Sequence, residues 1–264
     1  MSFETIQLET DSRGIATLTL DRPEKHNAMD SRMMVEIRDA VRGLDADSSV
    51  RGVILAGNGP SFCAGADLGW MRDNFARSRE ERIQESDVLS TMLHAMDTIS
   101  KPLIAKVHGQ AYAGGVGLIS VCDIAIGVPE ARFSVTEVRL GLTPANISTY
   151  LIARVGARNA RRLFLNAHFF QGDEAVQYGL LDKVVPAGEL DKAVEAEVRP
   201  LLDCAPGAVA MTKELIAFVR THDAEANRRH TAVLLADCWE GEEAQVAIAN
   251  FFDKKPPPWT VDDD

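Results

Sequence analysis

Lys106-Val107-His108-Gly109-Gln110-Ala111-Tyr112-Ala113-Gly114-Gly115-Val116-Gly117-Leu118 runs on through Val121-Cys122-Asp123-Ile124-Ala125-Ile126 to Phe133-Ser134-Val135-Thr136-Glu137-Val138-Arg139-Leu140-Gly141. The lead-in, Pro102-Leu103-Ile104-Ala105-Lys106-Val107, is short, apolar and suited to a buried strand. A Gly-rich turn follows and opens into an apolar segment with the character of a buried helix. Gly114, Gly115 and Gly117 admit two readings. Either they let elements pack tightly, or they let backbone approach a ligand whose developing negative charge faces the N–H groups of a helix start. The second reading makes the stretch an anion site built from backbone, with Glu137 as the carboxylate that serves it.

Toward the amino terminus, residues 5–8 and 15–20 alternate apolar with polar around Asp11-Ser12-Arg13-Gly14, which predicts a hairpin ended by Asp21-Arg22-Pro23. Met33, Met34, Ile37, Val41 and Leu44 recur at helical spacing, predicting a helix over residues 31–45 capped by Asn27 or Asp30. Residues 50–56 read as a strand, 57–60 as a turn and 61–68 as a loop. Residues 72–85 are highly charged and weakly patterned, either a mobile connection or a solvated first turn. Beyond them Val88, Met92, Leu93 and Met96 line one face of a helix reaching Ile99.

Toward the carboxyl terminus, residues 147–155 and 160–165 are helical and punctuated by Gly156, residues 173–180 form a short capped helix, and Val184-Val185 a short strand. From Glu189 the strand signals cease. Helical patterns occupy residues 190–202, 206–219 and 223–252, ahead of the basic, proline-stiffened Lys254-Lys255-Pro256-Pro257-Pro258-Trp259. The expected organisation is an α/β core over residues 1–188 and a helical region with a basic tail over residues 189–264. Helices with apolar faces and no sheet of their own must pack on the core or on another subunit.

A chain of 264 residues permits one large core, and its net charge of −11 argues against a nucleic-acid surface while leaving room for one anionic ligand. Cys63, Cys122, Cys204 and Cys238 are widely separated and read as reduced thiols. His26, His94, His108, His168, His222 and His230 show no metal-ligand spacing, so no metal is expected. The first twenty residues lack a basic region followed by an apolar run, and no apolar stretch is long enough to cross a bilayer. A cytoplasmic protein with no membrane partner is expected.

Two loops, Ala64-Gly65-Ala66-Asp67 and Ala113-Gly114-Gly115, each follow a strand and offer backbone N–H groups. Converging on one oxygen, they would form an oxyanion hole. With Asp21-Arg22-Pro23 ahead of Asn27-Ala28-Met29, and Glu137 ahead of Leu140-Gly141, they make four separated motifs in order. In these motifs, and over nearly its whole length, the chain resembles the enoyl-CoA hydratase/isomerase family, also called the crotonase family. The resemblance implies a crotonase-like spiral core of ββα units with a C-terminal helical trimerisation region. It further implies a homotrimer or hexamer, and an acyl-CoA thioester substrate in which coenzyme A arrives with the substrate and no cofactor is bound permanently.

By position, the resemblance implies Ala66 and Gly114 as the N–H donors to the thioester oxygen, and Glu137 as the second of the two catalytic glutamates of the hydratases. The first has no counterpart: three residues on from Gly114 and twenty back from Glu137 both lead to Gly117. A glutamate substituted at Gly117 would restore a carboxylate near the water if the pocket keeps the family's geometry. Lys25, Lys254 and Lys255 are either solvated charges or, by resemblance, contacts to coenzyme A phosphates. Ala64, Asp67, Leu68 and Trp70, with Met71 and Arg72, either border the acyl pocket or form a loop and the start of a helix, and Asp67 reads first as orienting its loop. Gly69-Trp70-Met71-Arg72, Gly115-Val116-Gly117-Leu118 and Glu137-Val138-Arg139-Leu140-Gly141-Leu142, with Pro144 and Ile147-Ser148, are most similar to bacterial methylglutaconyl-CoA hydratase-like members. Hydration of a short or branched enoyl-CoA is therefore implied. The rivals are a double-bond isomerase using Glu137 alone and a non-catalytic acyl-CoA or RNA-binding relative; the acidic balance argues against RNA and Glu137 against a pure binder.

Overall fold

Alternation at the amino terminus gives the hairpin it predicts. In the computed structural model, which describes residues 3–260, β1 (Ile6–Thr10) and β2 (Ile15–Leu20) pair antiparallel, Ile6 opposite Leu20 and Thr10 opposite Ala16. The outermost residues of the expected regions 1–188 and 189–264 lie outside the described residues. Asp11 organises the turn, its carboxylate accepting from the N–H groups of Arg13 and Ile15. Asp30 caps α1 (Ser31–Ala46) by accepting from the N–H of Met33 at 2.9 Å. Met33, Met34, Ile37, Ala40, Val41 and Leu44 form its buried stripe, and the helix carries the chain to β3 (Gly52–Gly57), the parallel neighbour of β2.

From β3 onward one device recurs. A strand enters a six-stranded sheet, a shorter strand enters a four-stranded sheet, and helix follows. The first turn is β3, β4 (Ser61–Cys63), α2 (Leu68–Ala76) and α3 (Arg79–Thr98). The second is β5 (Leu103–Val107), β6 (Gln110–Tyr112) and α4 (Gly114–Ser120). The third is β7 (Ile124–Gly127), β8 (Arg132–Ser134), a 3-10 turn at Glu137–Leu140 and α5 (Ala145–Asn166). β9 (Phe170–Gln171), α6 (Gly172–Tyr178) and β10 (Lys183–Val184) complete sheets of order β1-β2-β3-β5-β7-β10 and β4-β6-β8-β9. This is the expected spiral of ββα units. Parallel neighbours need such crossovers, and strands covered on both faces read as apolar runs, as Leu103, Ile104, Ala105 and Val107 do in β5.

Two expectations are corrected. Residues 61–68 are not a loop throughout, since β4 occupies the first three and Leu68 already begins α2. Residues 72–85 are not an irregular connection: they belong to α2 and α3, which meet at Arg77-Ser78, where Ser78 and Glu81 form a reciprocal capping box, and residues 79–84 are the solvated first turns of α3. The helix break at Gly156 holds, with φ 75° and ψ 156° inside α5.

α7 (Leu190–Leu202) sinks Leu190, Ala193, Val194, Val198 and Leu202 into the main core against β5 and β7. α8 (Pro206–Thr221), α9 (Ala224–Glu240) and α10 (Glu242–Phe252) bury no side chain fully, and Gly241 divides the predicted pattern over 223–252. They are tied by polar reach. The Glu243 carboxylate on α10 accepts from the N–H groups of Gly207 and Ala208 in the first turn of α8, a cap borrowed from another helix. Arg51, just ahead of β3, donates to the carbonyls of Leu201, Leu202 and Cys204 at the end of α7 and to that of Trp259, whose indole N–H reaches the carbonyl of Asp203. The tail is thereby pinned at the amino end of β3.

Candidate active site

β4, β6 and β8 lie side by side and parallel, Ser61 opposite Gln110 and Tyr112 opposite Ser134. Their carboxyl ends therefore open on one side of the small sheet. Each runs directly into a stretch singled out in the sequence: Ala64-Gly65-Ala66, Ala113-Gly114-Gly115 and Val135-Thr136-Glu137. The carboxyl ends of parallel strands are where open α/β sheets receive ligands.

The first loop is held by Met29. Its N–H donates to the Gly65 carbonyl at 2.7 Å and its carbonyl accepts from the N–H of Asp67 at 2.9 Å, a parallel bridge centred on Ala66. In such a bridge the central residue's own N–H points away from the partner, so the Ala66 N–H faces away from Met29. The Ala64 N–H is spent on the carbonyl of His26 at 2.9 Å. In the second loop Ala113 donates its N–H to the Ser134 carbonyl at 2.9 Å and takes φ 47° and ψ −115°, a conformation costly for a residue with a Cβ. That sharp turn makes Gly114 the first residue of α4, whose N–H has no acceptor within the helix. A Cβ on Gly114 would stand 2.7 Å from the Met29 Cε and 4.0 Å from the Gly65 Cα. The two loops thus leave no room for a side chain at 114, with the Met29 side chain set against Gly114 and the Met29 backbone bonded to Gly65. Close packing and a free N–H are one feature here, and the two sequence readings of these glycines do not compete.

Asn27 fixes the approach of the segment that carries Met29. Its fully buried amide donates to the carbonyls of Asn58, Ser61 and Phe62 and accepts from the N–H of Arg22. The Arg22 guanidinium donates to the Ala28 carbonyl and pairs with Asp30 and Asp67. Asp67 has the orienting role read for it: its carboxylate accepts from the N–H groups of Gly69 and Trp70 and caps α2. Burial works to push the Asp67 carboxyl up, and those two N–H groups with Arg22 hold it below the ordinary range. Cys63, beneath the loop, is a buried thiol pushed up to about 12 by burial, inert rather than nucleophilic.

Glu137 opens the 3-10 turn after β8. Its carbonyl accepts from the N–H of Leu142, while Arg139 in the same turn donates to the Ala167 carbonyl at 2.5 Å and lies over the Phe169 ring, 4.8 Å from its centre. The Glu137 Oε2 is buried with no hydrogen-bond partner among the described residues, and burial raises the carboxyl above its ordinary range. An unpartnered carboxyl oxygen kept from water holds a proton more readily than an exposed one, which is the character of a proton carrier.

Gly117 departs from expectation. A Cβ there would stand 2.4 Å from the Ile147 Cγ2, and Ile147 is buried at the start of α5. The room for a glutamate at 117 is already filled by an isoleucine from another helix. Of the remaining candidates, Leu68 is 81% exposed at the start of α2, and Trp70 is half-buried against the core. Lys25 is exposed in the 3-10 turn Pro23–Lys25, beyond the carboxyl end of β2. Lys254 and Lys255 are exposed on the tail, where Lys255 pairs with Asp253, and no contact among the described residues joins them to Lys25. Met29, Arg22 and Ile147 are the contributors the sequence reading left without a role at the site. Among the described residues no cluster of His, Cys, Asp or Glu could hold a metal ion, and no helix is long and apolar enough to cross a membrane.

The family described as enoyl-CoA hydratase/isomerase matches this chain over residues 10–262. A short-chain-enoyl-CoA hydratase of Clostridium acetobutylicum is 31% identical, the alignment covering 97% of each chain. A crotonyl-CoA hydratase of Syntrophomonas wolfei is also 31% identical, again over 97% of each. The crystal structure of an enoyl-CoA hydratase from Shewanella pealeana superposes with a TM-score of 0.94 at 32% identity, over 97% of this chain and 96% of that one.

Proposed function

We propose, from the premise that this chain belongs to the enoyl-CoA hydratase/isomerase family and is an enzyme of it, that it adds water across the C2=C3 bond of a short or branched enoyl-CoA, methylglutaconyl-CoA being one candidate. The Ala66 and Gly114 N–H groups receive the thioester oxygen. Glu137 as carboxylate takes a proton from water, the hydroxide bonds to C3, and the C2=C3 electron pair moves onto the thioester, whose enolate oxygen is stabilised by the two fixed donors. Protonated Glu137 then delivers its proton to C2, giving the 3-hydroxyacyl thioester and restoring the carboxylate.

The observation that carries this reading is the buried, unpartnered Glu137 Oε2 beyond the end of β8, the strand next to β6, whose end leads through Ala113 into Gly114. The experiment is turnover of a panel of enoyl-CoA thioesters in oxygen-18 water. Label on the β-carbon oxygen of the product is expected.

A second reading has its own observation. Ile147 fills the space beside Gly117, which leaves Glu137 without a second carboxylate, and a single base suffices for a double-bond isomerase. Isomerisation without label uptake across the panel would make that reading the right one.

Ala64, Asp67, Leu68, Trp70 and Gly117 are proposed to border the acyl chain, and Lys25 to meet the coenzyme A phosphates. Lys254 and Lys255, pinned with the tail at the other end of the large sheet, would do so across a subunit boundary. Residues 189–264 are proposed as the assembly region of a trimer or hexamer, supported by the exposed Ile216, Val233, Leu235, Trp239, Phe251 and Phe252 on α8 to α10. Sedimentation as a compact monomer at micromolar concentration would remove it. The four free cysteines support a reducing, cytoplasmic setting.

A further inference from the structure

Around the first N–H loop, six side chains close into a ring. Asp67, next after Ala66, takes the Arg22 Nη2 at 3.2 Å, and Arg22 pairs with Asp30 at 3.1 Å. Asp30 caps α1, whose first residue is Ser31. The Ser31 hydroxyl donates to the Glu85 Oε2 at 2.5 Å, and the Trp70 indole N–H reaches the same oxygen at 2.8 Å and the Ser31 Oγ at 2.9 Å. Trp70 closes the ring, since its backbone N–H donates to Asp67. Arg77, the residue after α2, adds its guanidinium to the Glu85 Oε2 at 3.0 Å.

What the ring holds is otherwise weakly fastened. α2 buries no side chain fully, and Leu68 and Phe75 are 81% and 82% exposed. The apolar stripe that seats α1 is missing, so the set of α2 rests on polar contacts and on the flank of Trp70. Those contacts are Asp67 at its start, Glu85 at its middle and end, and Arg82, which donates to the carbonyls of Asn74 and Phe75. Ala66 lies two residues ahead of α2 on the same peptide path. Asp67 joins the two, with its N–H on the Met29 carbonyl and its carboxylate on the first turn of α2, so a tilt of α2 acts on the Ala66 peptide through Asp67.

We propose that Glu85 is a positioning residue of the reaction: by fixing Trp70 and Arg77 it fixes α2, and through α2 the aim of the Ala66 N–H at the thioester oxygen. The proposal rests on the reading of Ala66 as a donor. Three donors converging on one half-buried oxygen are more than a surface ion pair, and through them Glu85 on α3 touches α1, α2 and the residue after α2 at once.

The test uses the full chain, the enoyl-CoA it turns over fastest, and an inert saturated thioester, butyryl-CoA with carbon-13 at the carbonyl. Glu85→Ala removes the acceptor, Glu85→Gln keeps an acceptor oxygen without the charge, and Trp70→Phe removes the indole N–H while keeping a ring. In Glu85→Ala and Trp70→Phe, kcat is expected to fall about 10- to 100-fold with KM within about threefold, the cost of a misaimed donor. The double variant should be no worse than either single variant, because both break one link. Glu85→Gln should restore most of the loss. In the parent the infrared carbonyl band of bound butyryl-CoA should lie below its free frequency, and in Glu85→Ala it should move back toward it. Parental kcat and a parental carbonyl band in folded Glu85→Ala would overturn the proposal alone. A parent with neither turnover nor a displaced band would overturn the donor reading and this proposal with it. Should Glu85→Ala not fold, Ser31→Ala, which removes one donor to Glu85 at a residue with no proposed contact to the acyl chain, decides by the same two readouts.

Discussion

In the six-stranded sheet β2 and β3 pair over six residues in unbroken register, Ile15 opposite Gly52 through Leu20 opposite Gly57. In the four-stranded sheet β4, β6 and β8 run for three residues each, and the pairing of β4 with β6 slips between Ser61 and Cys63. The central strands of the large sheet, β3, β5 and β7, are covered on both faces and carry the core. The small one carries what the core leaves unresolved: Ala113 at a positive φ, a helix start without an acceptor, and a buried carboxylate oxygen without a partner. The difference teaches where chemistry comes from in a spiral of this kind. A strand of three residues is soon ended, and beyond its end the backbone donors of the next turn are not consumed by pairing. The large sheet supports this because β4, β6 and β8 each follow directly on one of its strands, β3, β5 and β7.

That division can be broken most sharply at Glu137. Glu137→Gln keeps the volume and removes the proton carrier, so kcat should fall about 10³- to 10⁴-fold while thioester binding and the thermal midpoint survive. Turnover near the parental rate would sever the small sheet from the chemistry. From the other side, Leu55→Ala in β3 empties a fully buried site and should lower unfolding stability by about 3 kcal/mol in urea titration, with kcat per folded molecule within about twofold. A matching loss of kcat would show that the sheets are not separable.

Gly117→Glu tests the seam between α4 and α5. Its Cβ meets Ile147 and Leu93, so the single variant should lose about 1–3 kcal/mol by overpacking, and Ile147→Ala in the same chain should return most of it. Equal midpoints for the single variant and the parent would mean that Ile147 yields without cost. The smallest effect is the pH dependence of Glu137. Burial raises its carboxyl in the folded chain, which therefore holds the proton more tightly than the unfolded chain does. The stability this brings is full below the ordinary carboxylate range and is lost as pH rises through the raised folded value. Relative to Glu137→Gln, the parent should lose ground as pH rises above the ordinary carboxylate range, read from urea midpoints. A constant difference would deny that Glu137 is buried at all.

What was legible in the sequence follows from length and period. The hairpin and α1 showed themselves because Ala16, Leu18 and Leu20, or Met33, Ile37, Val41 and Leu44, repeat often enough to define a face. β4, β6, β8 and β9 did not, since two or three residues cannot display alternation, and α2 did not because it has no buried stripe to display. The Gly-rich loops and Glu137 could be found from residue type, but their convergence is a property of strand order. Ile147 against Gly117 and Glu85 against Trp70 were out of reach for another reason: each is a contact between helices, and no local pattern reports which residue stands opposite.

The Arg51 clamp has a consequence in time. Its guanidinium collects carbonyls from residues 150 positions or more downstream, and that of Trp259 lies 208 positions away. At ribosomal rates of about 5–20 residues per second, Arg51 waits about 10–40 s between its own synthesis and that of Trp259. Water satisfies its five N–H donors in the interval, so the first turns of the spiral can assemble around an arginine that is still idle. The Trp259 segment is then fastened to a body that already exists, so this seam is sewn after the turns of the spiral that Arg51 introduces.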